Sequence, residues 1–190
     1  VTGGNEFQIN TYTSDDQESP STTLLDSGHL VTTWQSNSQD GANYGVYGQI
    51  HLADGTLLGE EFQINTYAYQ DQREPSVTAL KNGDFVVTWQ GNYQDAGSGD
   101  SYNGVFGQRY GEDGTAKGDE FQINSYTSGE QHVPSVTALG DGFVVAWQDN
   151  AGGGITGGGG IVFLEVIIQR IALVLHVDLG RTSFDDITAV

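Results

Sequence analysis

One phrase opens three successive stretches of this chain. Gly4-Asn5-Glu6-Phe7-Gln8-Ile9-Asn10-Thr11-Tyr12 returns as Gly59-Glu60-Glu61-Phe62-Gln63-Ile64-Asn65-Thr66-Tyr67, and again as Gly118-Asp119-Glu120-Phe121-Gln122-Ile123-Asn124-Ser125-Tyr126. The phenylalanines are 55 and 59 residues apart. A period of this size makes the repeat the structural unit. The units run over residues 4–58, 59–117 and 118–177, the third diverging after 150, with 178–190 as a terminal strand. A site built by one unit is expected in several copies, which points to multivalent binding rather than one catalytic pocket.

Each unit reads as four strands. The alternation in Phe7-Gln8-Ile9-Asn10 makes the opening phrase a strand. A polar turn follows, then a proline (Pro20, Pro75, Pro134) at the start of a second strand, where its missing N–H does little harm. A glycine turn leads to the β-branched runs ending in Trp34, Trp89 and Trp147, the strongest strand signal in the chain. The fourth strand is Gly45-Val46-Tyr47-Gly48-Gln49, or Gly104-Val105-Phe106-Gly107-Gln108-Arg109-Tyr110 in the second copy. Four short strands give one small sheet with one apolar face, so the units must pack on one another.

Charge narrows the partners. There are 25 Asp and Glu against 6 Lys and Arg, a net charge of −19. Phosphate binding needs a basic face, so nucleic acid is excluded as a partner. The apolar run from Ile161 to Val177 is short for a membrane span and is interrupted by Glu165, Arg170 and His176, so no membrane insertion is expected. Cations, above all calcium, and neutral polar ligands such as sugars suit this charge. The chain has no cysteine and no methionine, which fits a secreted, extracellular setting. No signal peptide opens it at Val1, which fits a mature form, a fragment or a cytosolic protein.

The combination of Phe-Gln-Ile-Asn-Thr-Tyr, Pro-Ser-Val-Thr-Ala-Leu, Phe-Val-Val-Thr-Trp-Gln and Gly-Val-Phe-Gly-Gln-Arg-Tyr resembles repeats in very large secreted bacterial proteins of the adhesin and RTX-associated type. The resemblance covers residues 4 to about 150 and implies an extracellular, calcium-rich setting and β-propeller-like blades. The chain lacks the glycine-rich calcium nonapeptide of RTX arrays. The expected fold is therefore all-β, with three four-stranded antiparallel units arranged like propeller blades. A threefold β-trefoil or β-prism is the alternative. Three blades do not close a ring, so a homo-oligomer or a place in a longer repeat array is expected.

The loop after each Trp-Gln is the candidate site. Glycine-spaced oxygen donors there suit calcium, with Asp40, Asp95, Asp100 and Asp149 as candidate metal ligands. Asn43, Tyr44, Tyr102, Asn103 and Asn150 join them as candidate carbohydrate contacts, with Trp34, Trp89 and Trp147 as candidate stacking rings. The competing readings are turn chemistry for the loops and core packing for the tryptophans. The acidic turns at Asp15-Asp16, Asp71 and Glu130 form a second, weaker cation candidate. No metalloprotease or serine-hydrolase motif is present, and the histidines do not recur at equivalent places. The expected function is a secreted, non-enzymatic, lectin-like module for carbohydrate or cell-surface glycan, with calcium as candidate cofactor. A structural assembly module is the alternative, and a glycan-processing enzyme the third reading.

Overall fold

The computed structural model describes residues 5–94, 103–125, 127 and 129–149, together with the backbone of 161–168 and 171–173. The fold is all-β and every strand pairing is antiparallel. The first sheet holds β1 (Gln17–Leu24), β2 (Leu30–Asn37), β3 (Tyr44–His51) and β4 (Leu57–Gln63). The second holds β5 (Gln72–Ala79), β6 (Phe85–Asn92), β7 (Asn103–Tyr110) and β8 (Phe121–Gln122). The third holds β9 (Gln131–Leu139), β10 (Gly142–Asp149), β11 (Ile161–Ile168) and β12 (Ile171–Leu173). Within each sheet the strands lie in chain order.

The sheets are out of phase with the sequence repeats. The opening phrase does not begin the sheet of its own unit. Phe62 and Gln63 pair with Gly48 and Tyr47, and Phe121 and Gln122 pair with Gly107 and Phe106, so each closes the preceding sheet. In the first copy Phe7 to Asn10 form no strand. Phe7 instead meets His51 edge-on at 6.2 Å, at the place where Phe62 meets Tyr110 in a tilted pair at 5.6 Å.

The prolines also sit elsewhere than expected. Pro20, Pro75 and Pro134 lie inside β1, β5 and β9, each at a break in the pairing register. The residues before them, Ser19, Glu74 and Val133, have φ of 51°, 53° and 53°. A non-glycine residue in this region costs on the order of 1–3 kcal/mol and persists only when its surroundings hold it there. For Glu74 and Val133 the neighbouring sheet supplies that hold: Glu74 N–H donates to Gln35 Oε1 (2.9 Å) and Val133 N–H to Gln90 Oε1 (3.1 Å).

Two separate apolar cores lie between the sheets. Val31, Val46, Ile50 and Ile64 meet Phe85, Val87, Trp89 and Phe106 in the first. Val86 and Val105 meet Val136, Phe143, Val145 and Trp147 in the second. Successive strand residues point to opposite faces, so Phe85-Val86-Val87 fills both cores at once. The second sheet thus has two apolar faces, not one, which is why its strands read as continuous β-branched runs. Two cores in a row also set aside the trefoil and prism alternatives, which wrap a single shared core.

The repeated phrase is a fastener. Asn65 and Asn124 are buried, and their Oδ1 atoms accept the N–H groups of Val46 and Val105, both at 2.8 Å. Glu61 accepts from Thr11 N–H (2.7 Å) and from Gln39, and Glu120 accepts from Thr66 N–H (2.6 Å) and from Gln94. These roles account for Glu and Asn within the phrase without any ligand.

Candidate functional site

β1, β5 and β9 are each an edge strand of their own sheet, but they pack against one another in sequence and in that sense form the central row of strands. Where β1 and β5 begin, a polar cluster gathers at the junction of the first two sheets. Gln35 is buried beneath it; its Nε2 donates to Glu18 Oε2 (3.0 Å) while its Oε1 holds the Glu74 N–H. The Arg73 guanidinium lies 4.0 Å from the centre of the Tyr44 ring and pairs with Asp71 at 3.3 Å. Tyr44 N–H donates to the same Asp71 Oδ1 at 3.3 Å. At a half-exposed place such a cation–π contact contributes about 0.5–1 kcal/mol, enough to orient the guanidinium.

The Tyr44 hydroxyl is held above the ordinary phenol value. Desolvation is the largest cause, followed by the negative charges of Glu18 and Asp16; Arg73 opposes them. The cluster thus presents Glu18, Asp71, Tyr44 and Arg73 together. It holds carboxylates for proton transfer, and donors and acceptors for hydroxyl groups.

This cluster does not recur. The positions of Glu18 and Tyr44 are held by Arg73 and Asn103 in the second unit, and that of Arg73 by His132 in the third. The expectation of equivalent sites in each unit therefore fails at this place. Sequence reasoning reached Tyr44 and Asn43 through their loop, and Asp71 only as part of the weaker cation candidate in the acidic turns. It passed over Glu18 and Arg73. The signal was available: the residue after the central-strand glutamine is Glu18, Arg73 or His132 in an otherwise repeated setting.

The other sequence candidates fare differently. Trp34, Trp89 and Trp147 are buried, so their ring faces belong to the interior and do not offer a sugar-stacking surface. Asp40 caps its own loop, accepting from Ala42 N–H (3.0 Å) and Gln63 Nε2 (3.3 Å). Asn43 donates to Gln70 Oε1 at 3.3 Å, beside the cluster. Asn103 pairs with Asn92 at the start of β7, and Asp149 is buried at the end of β10 opposite Gln131. Asp95, Asp100, Tyr102 and Asn150 lie outside the described residues. Among the described residues no group of three or more His, Asp or Glu side chains has the geometry to hold a metal ion.

Elsewhere a concavity of about 670 Å³ opens between the same two sheets and is lined by His29, Ile50, Leu58, Asn82, Asp84 and Lys117 among others. Asp84 is buried there and accepts from Lys117, from Arg109 Nη2 (3.3 Å) and from Asn82 Nδ2 (2.7 Å). Its oxygens are engaged by the protein itself, so this ion cluster reads as a fastening of the second sheet.

No known protein family matches this sequence, and no curated protein does. Solved structures share the fold. An endo-arabinase from Bacteroides thetaiotaomicron matches 80% of this chain and 56% of its own length at 11% identity, with a TM-score of 0.52. A thermostable family-43 glycoside hydrolase matches 83% and 53% at 12% identity, with a TM-score of 0.57. An α-L-arabinofuranosidase from Lactobacillus brevis matches 84% and 55% at 15% identity, with a TM-score of 0.54. The chain therefore spans about half the length of the structures it matches. These likenesses establish the fold. They also overturn the expectation of a non-enzymatic protein, because the architecture this chain shares is one that carries glycan-cleaving enzymes.

Proposed function

We propose that this chain forms consecutive blades of a β-propeller that processes glycans, with its working groups in the Glu18–Tyr44–Asp71–Arg73 cluster. The observation that carries this reading is the single-copy character of that cluster. A repeated framework departs from repetition where the central strands begin, and it departs by bringing carboxylates, a tyrosine and an arginine together. The enzymes that share the fold support the substrate class: their names specify arabinan-type and other glycosidic linkages. The setting we propose is extracellular, where such glycans are met.

Glycoside hydrolysis needs one carboxyl group to protonate the departing oxygen and a second carboxylate on the other side of the sugar. We assign the proton-donor role to Glu18, which meets the neutral amide of Gln35 and forms no ion pair among the described residues. Asp71, paired with Arg73, takes the proton from the attacking water. Arg73 and Tyr44 orient the sugar hydroxyls. The test is release of reducing sugar from arabinan and aryl arabinofuranosides. Glu18→Gln and Asp71→Asn should each lower the rate at least about 100-fold with unchanged melting temperature. Equal rates in parent and both variants would remove the assignment. Saturable glycan binding without turnover would reduce the function to recognition.

A further inference from the structure

We propose that the two outer faces of the three-sheet stack form a head-to-tail docking pair, and that the occupant of each is a second copy of this chain. The sheets already join one another by a repeated pattern. At the first junction the acceptors come from the leading side of the first sheet: Ser21 Oγ takes Val77 N–H (3.2 Å), Thr23 Oγ1 takes Ala79 N–H (3.1 Å) and Gln35 Oε1 takes Glu74 N–H. At the second junction Ser76 Oγ takes Val136 N–H (3.1 Å) and Gln90 Oε1 takes Val133 N–H. The junction is thus a fixed code. A serine one place after the proline, and the glutamine after the tryptophan, receive N–H groups from the edge of the next central strand.

Both halves of this code are displayed again at the ends of the stack. On the leading side of the third sheet, Ser135, Thr137 and Gln148 occupy the places of Ser76, Thr78 and Gln90, and all three are exposed. Leu139 there is 48% exposed, whereas its counterpart Leu80 is buried in the second core. On the trailing side of the first sheet, β1 is an edge strand. Its residues Ser19, Thr22 and Leu24 match Glu74, Val77 and Ala79, the donors of the first internal junction. Pro20 and Thr22 are exposed where Pro75 and Val77 are buried, and Leu24 is 61% exposed.

An acceptor face at one end and a donor edge at the other are complementary to each other and not to themselves. The contact is therefore heterologous, closing a ring or extending a stack according to its rotation. Burying Leu139 against Leu24 repeats the arrangement of the first core, where Ala79 packs against the cluster that holds Leu25. The net charge of −19 on each copy opposes association, so the assembly strengthens as salt screens it.

Sedimentation equilibrium on the whole chain tests this. The parent should exceed its 20.3 kDa monomer mass at least twofold at high protein concentration, and more so at about 0.5 M than at about 0.05 M salt. Leu24→Arg spoils only the donor edge and Ser135→Arg only the acceptor face. Both positions are exposed, so melting temperatures should match the parent. Each variant alone should sediment as a monomer. An equimolar mixture should regain a twofold mass, since one variant keeps the acceptor face and the other the donor edge. A parent that stays monomeric up to about 1 mM at high salt overturns the proposal. So does an oligomer that neither substitution disrupts, or a mixture that fails to reassociate.

Discussion

Asp84→Ala should be among the costliest single substitutions in the second sheet, and the cost can be worked from its partners. The Asp84 side chain is 5% exposed, that of Arg109 21% and that of Lys117 53%. The Arg109 bond is charge-assisted and largely buried, so its loss contributes about 1.5–3 kcal/mol. Lys117 can return to water, and its share is that of an exposed pair, about 0–1 kcal/mol. The Asn82 amide adds about 1 kcal/mol. The sum, about 3 kcal/mol, lies at the lower end of what breaking a buried ion pair costs. For a chain of this size that is a fall in melting temperature of about 6–12 °C, read by calorimetry or circular dichroism. The first unit supplies the control. Its residues at the places of Arg109 and Lys117 are Ile50 and Leu58. Adding Arg109→Ile and Lys117→Leu to Asp84→Ala should therefore recover most of the loss, because an apolar replacement of a buried ion cluster is often neutral or better. A single-variant loss below about 1 kcal/mol would refute the reasoning. A triple variant less stable than the single one would do so too.

Asn65→Ala removes the acceptor of the buried Val46 N–H and should cost about 2–3 kcal/mol, read as a lower urea midpoint at unchanged slope. An unchanged midpoint would mean that water replaces the amide there. Tyr110 gives a pH prediction. Its hydroxyl donates to Ile64 O at 2.9 Å, and burial, then the Glu120 charge, raises it above the ordinary 10.0. The folded state thus favours the neutral phenol. Its contribution is complete below pH 10.0 and is lost as pH rises through the raised value. Melting temperature should show no phenol-linked fall below about pH 9 and should decline above about pH 10. Tyr110→Phe should lower neutral-pH stability by about 1 kcal/mol yet shallow that alkaline limb, leaving the part due to the similarly raised Tyr47. An alkaline limb of unaltered slope would count against this account.

The strands themselves were legible because β-branched runs ending in tryptophan and flanked by glycine turns have few other solutions. Their phase was not. A repeat identifies its unit only up to a cyclic shift, and nothing in Phe62-Gln63-Ile64-Asn65 says whether it opens one sheet or closes the one before. Long-range pairing with Tyr47 and Gly48 decides that. The bulge was hidden for a similar reason. Pro20, Pro75 and Pro134 read as strand starts because the acceptors that make an interior bulge tolerable, Gln35 and Gln90, come from a neighbouring sheet. The tryptophans tell the reverse story: packing was the plainer reading of Trp34, Trp89 and Trp147, and burial agrees with it. The site was half legible. Tyr44 stood out in a polar loop, but Arg73 looked like one more charge in a solvated turn until the fold placed it over the ring.

The repeated and the exceptional residues divide the work of this molecule. Where the copies agree, a fastening role can be named: Asn65 and Asn124 hold strand ends, Glu61 and Glu120 hold loops, and Gln35 and Gln90 hold the strained bulges. Where they disagree at one central place, Glu18 against Arg73 against His132, no fastening role requires the difference. The two proposals meet at that point. In a docked pair, Gln148 of one copy would receive the Ser19 N–H of the other, as Gln35 receives that of Glu74. Ser19 is the residue next to Glu18, so docking would pin the bulge from which the assigned proton donor projects. Association would then act on the Glu18 site through the backbone that carries it, without adding any group to the site.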